Sequence, residues 1–246
     1  MSRVSASSRN APWVTTRSPD ASPFVIKGEM LLKLAKLEYQ KSRKGFLGAP
    51  KGKLPYIVDD GHVVADSTLM RLYFEQKYGI DFDRGLSARD RGIAWAVEKM
   101  LEDHLYWVLV YWRWMKDQNF EKGPAQFFNR APAIIRPLIK WRVRGEVRRR
   151  LHGHGISRHT EAEMTQMSDR ALDALSKVLG DNTYLMGSQP CGADATAFAF
   201  IASSLTPVFE SPAHATARTL PNLIAYRDRL MAEFYPRFMG SDPPVL

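Results

Sequence analysis

The order of residues from Ala49 to Tyr78, APKGKLPYIVDDGHVVADSTLMRLYFEQKY, constrains the fold of this chain more than any other stretch. Two apolar runs, Leu54 to Val58 and His62 to Ala65, flank Asp59-Asp60-Gly61, a hairpin turn in which glycine supplies positive φ. Asp66-Ser67 then opens a helical pattern with Leu69, Leu72 and Tyr73 on one face. The stretch reads as strand, tight turn, strand, helix.

Two features of this unit go beyond architecture. Pro55 stands at the mouth of a strand, where a residue without an N–H interrupts a ladder, so it belongs at an edge or a turn and is a candidate for a cis bond. A cis bond there leaves the backbone of Leu54 pointing outward, where an extended ligand can pair with it as an added strand. At the other end, the N–H groups of the helix beginning near Ser67 attract an anion, the Ser67 hydroxyl can hydrogen-bond it, and Asp66 attracts a cation. A carboxylate and an ammonium side by side describe an amino-acid head group. Taken singly, Pro55 is equally an edge proline and Asp66 equally a helix cap.

With these residues in this order, the stretch resembles the glutathione-binding half of the glutathione S-transferase fold. That family carries a cis-proline after a Gly-Lys-hydrophobic segment, here Gly52-Lys53-Leu54-Pro55, and an acidic-Ser pair that opens a helix, here Asp66-Ser67. The resemblance implies a thioredoxin-like α/β domain followed by an all-α domain, with glutathione bound as co-substrate along the cleft between them. It further implies that Leu54 pairs with the cysteinyl backbone of glutathione, that Asp66 and Ser67 hold the γ-glutamyl head, and that Lys53 lies near the glycyl end.

The 246 residues suffice for such a pair of domains, and a hydrophobic fraction of 45% with a charged fraction of 25% is that of an ordinary soluble globule. No apolar run reaches the length of a membrane span, so membrane contact is expected to be peripheral. The single cysteine, Cys191, rules out an internal disulfide framework and suits a reducing compartment, here expected to be the cytoplasm.

Residues 1–12 are Ser- and Arg-rich without an acid and are expected to form a disordered tail. The first domain is expected over 13–79, with a first strand at Trp13 to Thr16. Ser22-Pro23-Phe24 opens a helix running to about Glu38, with Phe24, Leu31, Leu34 and Leu37 on its apolar face. A hydroxyl at this helix end lies beside several N–H donors, so Ser22 can stabilise a nearby thiolate, or serve as a cap alone. Glutathione transferases place their reactive Ser or Cys here, and the resemblance makes Ser22 the catalytic hydroxyl that activates the glutathione sulfur, with Thr15 and Thr16 weaker candidates. Residues 80–87 read as a linker, 88–240 as the helical domain and 241–246 as a frayed end.

From Ala88 to about Asp117 the pattern is one long helix dense in Trp and Tyr. His104, Trp107, Tyr111 and Trp114 share a face by spacing. In the transferase fold this helix lines the second-substrate pocket, so His104, Trp107 and Tyr111 are candidates for holding a small apolar electrophile, against an ordinary core stripe for most of the aromatic residues.

The net charge of +9 is concentrated between Arg130 and Arg158. No nucleic-acid motif surrounds this segment, and an anionic lipid surface or an acidic partner fits equally well, beside a merely solvated helix face. His152, His154 and His159 lack companion carboxylates or thiols, so no metal is expected. GHGISRHTEAEM, followed by ALDALSKVLGDNTYLMGSQPCGADATAFAFI, resembles the failed-axon-connections and metaxin-like branch of the transferase fold. That branch includes members with transport or developmental roles. A non-catalytic scaffold is therefore the alternative to conjugation, while the fold resemblance implies a homodimer. Cys191 stands where the fold's helix-capping box carries Ser or Thr ahead of Asp194, and the run after it is apolar nearly all round, as for a buried central helix.

Overall fold

A computed structural model of the chain describes residues 4–7, 18–42, 49–129 and 131–238. Its first half is a four-stranded sheet in the order β2-β1-β3-β4, built from β1 (Val4–Ser7), β2 (Tyr39–Ser42), β3 (Tyr56–Asp59) and β4 (His62–Ala65). β1 pairs parallel with β2 across the helix α1 (Pro23–Leu34), and antiparallel with β3. β3 and β4 form a hairpin whose ladder closes at Asp59 and His62. Asp60 and Gly61 between them have φ of 49° and 83°, the two positive values that a two-residue turn matching the strand twist requires.

The expectation of a disordered tail over residues 1–12 is corrected at Val4–Ser7, which lies at the centre of the sheet. Val4 and Ala6 are buried while Ser5 is half-buried, a period of two that the serine-rich composition conceals. The expected strand at Trp13 to Thr16, the candidates Thr15 and Thr16, and the frayed end at 241–246 fall outside the described residues.

α1 is shorter than expected and ends at Leu34, because Lys36 turns into the left-handed region with φ of 54°. α2 (Ser67–Tyr78) follows the hairpin. Its buried face is Met70, Arg71 and Phe74, whereas Leu69 and Leu72 of the expected apolar face are exposed. Asp59, buried at the end of β3, ties the helix to the hairpin by accepting from Tyr73, Lys77 and Tyr78.

The second half is helical. α3 (Ala88–Lys99) passes through a π-helical segment, Met100–Leu105, into α4 (Tyr106–Met115), so the expected single helix is a continuous path with one widened turn. There follow α5 (Asp117–Lys122), α6 (Arg136–His154), α7 (Glu161–Leu179), α8 (Gly192–Ser204), α9 (Pro212–Arg218) and α10 (Pro221–Phe234). Every residue of α8 is buried, and α1 packs along it, so the sheet domain is anchored on the axis of the helical domain. The Asp194 carboxylate fixes the start of α8 by accepting from the N–H groups of Leu185 and Cys191 and from the Tyr226 hydroxyl. Burial pushes the Cys191 thiol well above its ordinary range, which leaves it a packing residue. No helix among the described residues is long and apolar enough to cross a membrane.

Candidate functional site

α1 packs on α2. The Leu54–Pro55 peptide is cis, and the Pro55 ring lies against α1 at Gly28, where Met70 of α2 also packs. A Cβ at Gly28 would lie 3.2 Å from Pro55 Cγ and 3.0 Å from Met70 Cε, so the absence of a side chain there lets α1 come against both. The Pro55 carbonyl accepts from the Asp66 N–H at 3.1 Å, joining the prolyl segment to the mouth of α2. Neither the N–H nor the C=O of Leu54 has a backbone partner among the described residues. Lys53 beside it is exposed.

At the mouth of α2, Asp66 Oδ1 accepts from the N–H groups of Thr68 at 2.8 Å and Leu69 at 3.3 Å. Asp66 is therefore a cap, held at φ of 97° and ψ of 131°, outside the left-handed helical region. Ser67 is buried, and its hydroxyl and N–H have no partner among the described residues. The mouth thus offers a carboxylate oxygen, a hydroxyl and an amide N–H in sequence, which is an acceptor beside two donors.

Ser22 is the N-cap of α1 in extended conformation, yet its hydroxyl makes no capping bond. Its own N–H donates to Asp20 Oδ1 at 2.9 Å, so the Asp20 carboxylate fixes the approach to the helix. The first turn is further held by Phe24, whose ring meets Tyr106 at 4.8 Å and Phe200 at 5.8 Å, both edge to face.

Sequence reasoning missed Arg113. In the last turn of α4, its guanidinium donates to the carbonyls of Ala21 at 3.2 Å and Ser203 at 2.8 Å and lies over the Phe209 ring. No carboxylate pairs with it among the described residues, and burial pushes its pKa down to about 10, so it remains a cation at neutral pH. A positive charge thus sits against the residue before Ser22. One arginine inside the apolar run YWVLVYWRWM was the available clue.

The sequence also hid a buried ion network. Lys27 of α1 donates to Glu98 Oε2 at 2.8 Å and Glu102 Oε1 at 2.5 Å. Arg71 of α2 donates to Glu98 Oε1 and Asp83 Oδ2, both at 2.5 Å, and to Glu75 Oε1 at 2.9 Å. Asp83 also accepts the Gly192 N–H, and Glu98 the Thr196 hydroxyl. Burial pulls the Glu98 pKa upward, but Lys27 and Arg71 outweigh it and hold the carboxyl below the usual glutamate value. The network crosses from α1 and α2 to α3 and α8, behind the site.

Two of the aromatic candidates are engaged by other helices of the domain. Trp107 stacks on His154 of α6 at 4.5 Å, and the Tyr111 hydroxyl bonds Glu161 of α7 at 3.0 Å. Both pack on a cluster of Val108, Leu151, Ile156 and Met164. His104 falls in the π segment, half-buried, and takes no part in that stack. It is the neighbouring Tyr106 and Arg113 that α4 turns toward α1. Three-dimensional clusters of metal-ligating side chains do not occur among the described residues.

This geometry can be set beside known proteins. Residues 23–119 match the glutathione S-transferase N-terminal domain, and residues 168–230 the glutathione S-transferase C-terminal domain. Failed axon connections of Drosophila melanogaster is 29% identical over 89% of this chain and 55% of its own length, so the chain spans about half of that relative. Isoprene-epoxide–glutathione S-transferase of a Rhodococcus is 29% identical over 88% of this chain and 94% of its own length. Human metaxin-2 is 22% identical over 76% and 72%. The crystal structure of a beta-etherase from a Sphingobium superposes with a TM-score of 0.59 at 18% identity, covering 93% of this chain and 95% of that one, which shows the shared fold. A sheet domain with its prolyl turn, a helical domain centred on α8, and matches to both halves together place the chain in the glutathione S-transferase-like family, near the branch of failed axon connections and the metaxins.

Proposed function

We propose that the chain binds glutathione beside Pro55 and at the mouth of α2, and conjugates it with a small apolar electrophile. The observation that carries this reading is a set of polar groups there without partners among the described residues: the Leu54 backbone pair, the Ser67 hydroxyl and N–H, and the second oxygen of Asp66. Leu54 would pair with the cysteinyl backbone, Ser67 would receive the γ-glutamyl carboxylate, Asp66 its ammonium, and exposed Lys53 the glycyl carboxylate. The sulfur would then lie near Ser22, whose free hydroxyl can donate to it. The N-terminus of α1 and the Arg113 cation both favour the thiolate. With an epoxide, the class named for the Rhodococcus relative, the sulfur bonds to a ring carbon, the C–O bond opens, and the oxygen takes a proton from solvent. Thiolate attack of this kind needs no metal.

Trp107 and Tyr111 are engaged by α6 and α7, so we place the electrophile on the other side of α4, beside Ala21, Phe127 and Val208, which pack around Phe209. Val63, Leu69, Leu72 and Trp95 are exposed apolar side chains of β4, α2 and α3, and we propose that they contribute to a homodimer interface. Light scattering of Leu72→Glu is expected to show a monomer where the unaltered chain shows a dimer. The buried free cysteine fits a reducing compartment such as the cytoplasm.

Titration calorimetry with glutathione tests the proposal. Binding that weakens in Asp66→Asn and Ser67→Ala supports it. Absence of heat with the folded chain sinks it and leaves the non-catalytic scaffold as the working reading.

A further inference from the structure

α6 carries seven Lys and Arg residues and one acid, and the structure divides these cations into two groups. Four are engaged by the protein itself. Arg136 donates to the carbonyls of Asn129 and Ala131, Lys140 pairs with Glu121, Arg144 holds the end of α4 through the carbonyls of Trp114 and Met115 and pairs with Asp117, and Arg150 pairs with Glu146, the helix's own acid. The other three, Arg142, Arg148 and Arg149, are exposed and have no acidic partner among the described residues.

These three cations share their side of the helix with apolar groups that the fold leaves in water. Leu138 is 64% exposed and Trp141 75%, and Ile134, just ahead of the helix, is 94% exposed. Leu138, Trp141, Arg142 and Arg149 stand at i, i+3, i+4 and i+11, which puts them on one face, about 16 Å long from first to last. The first turn of α6 holds no acid, so the positive end of the helix dipole adds to the same potential.

We propose that this face of α6 docks on an anionic lipid surface. The two halves of the face call for different things from one partner. An aliphatic side chain as open as Ile134, with Leu138 and Trp141 beside it, gains from a region that excludes water, while the arginines gain from a dense layer of negative charge at the edge of that region. The boundary between headgroups and acyl chains supplies both, with tryptophan at headgroup depth and arginine stems laid along the apolar surface. A nucleic acid would meet the arginines and leave Ile134 and Leu138 in water, and an acidic disordered segment would do the same. The contact is peripheral, since no described helix can span a bilayer.

The full chain is to be sedimented with vesicles of phosphatidylcholine alone and with vesicles in which about a third of the lipid is phosphatidylserine, at about 0.1 M salt. Sedimentation with the charged vesicles and not the neutral ones is expected, falling as salt rises. Arg148→Gln with Arg149→Gln should lower the partition coefficient about 25-fold, at roughly fivefold for each cation. Trp141→Ala should lower it about tenfold, with the thermal unfolding midpoint unchanged because the side chain is in solvent. The proposal is overturned if charged vesicles sediment no more protein than neutral ones. It is also overturned if Trp141→Ala binds them as well as the unaltered chain, or if duplex DNA or an acidic peptide displaces the protein from them at equal charge concentration, since each shows a purely electrostatic surface.

Discussion

The mouth of α2 and the inner face of the same helix lie about one turn apart and treat polar groups in opposite ways. At the mouth, Ser67 and the nearby Leu54 backbone lack partners among the described residues, and Asp66 caps through only one of its oxygens. On the inner face, Arg71 is bonded to three carboxylates and shares Glu98 with Lys27, and both cations are buried. A buried charge that is fully partnered holds the fold together, and a polar group left open at a helix end is available to a ligand. Polarity alone does not separate these roles; hydrogen-bond satisfaction does.

Breaking the inner side should give the largest effect. Glu98→Gln leaves Lys27 and Arg71 buried without their shared charge and is expected to cost about 3 to 5 kcal/mol in urea unfolding. An unchanged midpoint would remove the network from any account of stability. Because the Glu98 pKa is lowered in the folded state, the unfolded chain binds more protons than the native one in acid. The advantage of the unaltered chain over Glu98→Gln should therefore be complete above about pH 4.5 and decline as pH falls through the lower native value.

Ser22→Ala tests the open side where chemistry is proposed. The hydroxyl caps nothing, so the unfolding midpoint should stay in place while kcat/KM for a small epoxide falls about 30-fold, equivalent to roughly 2 kcal/mol of transition-state stabilisation. The absorbance titration of bound glutathione should show the thiol pKa moving up in parallel. A variant that loses stability but keeps its rate would turn Ser22 into an ordinary helix start.

Asp66→Asn is a finer cut. Asparagine has the same shape and can cap α2 in the same way, so this change removes charge and leaves the helix mouth intact. Glutathione should bind about tenfold more weakly, or roughly 1.4 kcal/mol, with stability within a few tenths. Equal affinity would mean that Asp66 works only as a cap.

The smallest effect is expected at the Trp107–His154 stack. His154→Ala should cost about 1 kcal/mol of stability without changing the rate. A loss of turnover matching that of Ser22→Ala would return the electrophile pocket to the aromatic face that spacing had suggested.

The hairpin, the cis proline, the cap at Asp66 and the start of α1 were legible because each is a local event, decided by residues within a few positions of one another. Val4–Ser7 was not legible, since serine and alanine have weak strand preference and this strand exists through its neighbours on both sides. The burial of Arg71 instead of Leu69 was equally hidden. Periodicity finds an apolar stripe, but which stripe faces inward depends on what the linker and the helical domain present, here Asp83 and Glu98. Arg113 escaped because its significance is its place beside Ala21, distant in sequence.

By itself the sequence determined the strand-turn-strand-helix unit and the kinds of groups at its two open ends, because turn geometry, proline and capping act over short range. Only the tertiary structure decided which charges are partnered, which face of α4 looks toward Ser22, and which arginines of α6 remain free. Those outcomes depend on long-range contacts, where the cost of leaving a buried charge unpaired overrides the preferences of any single helix.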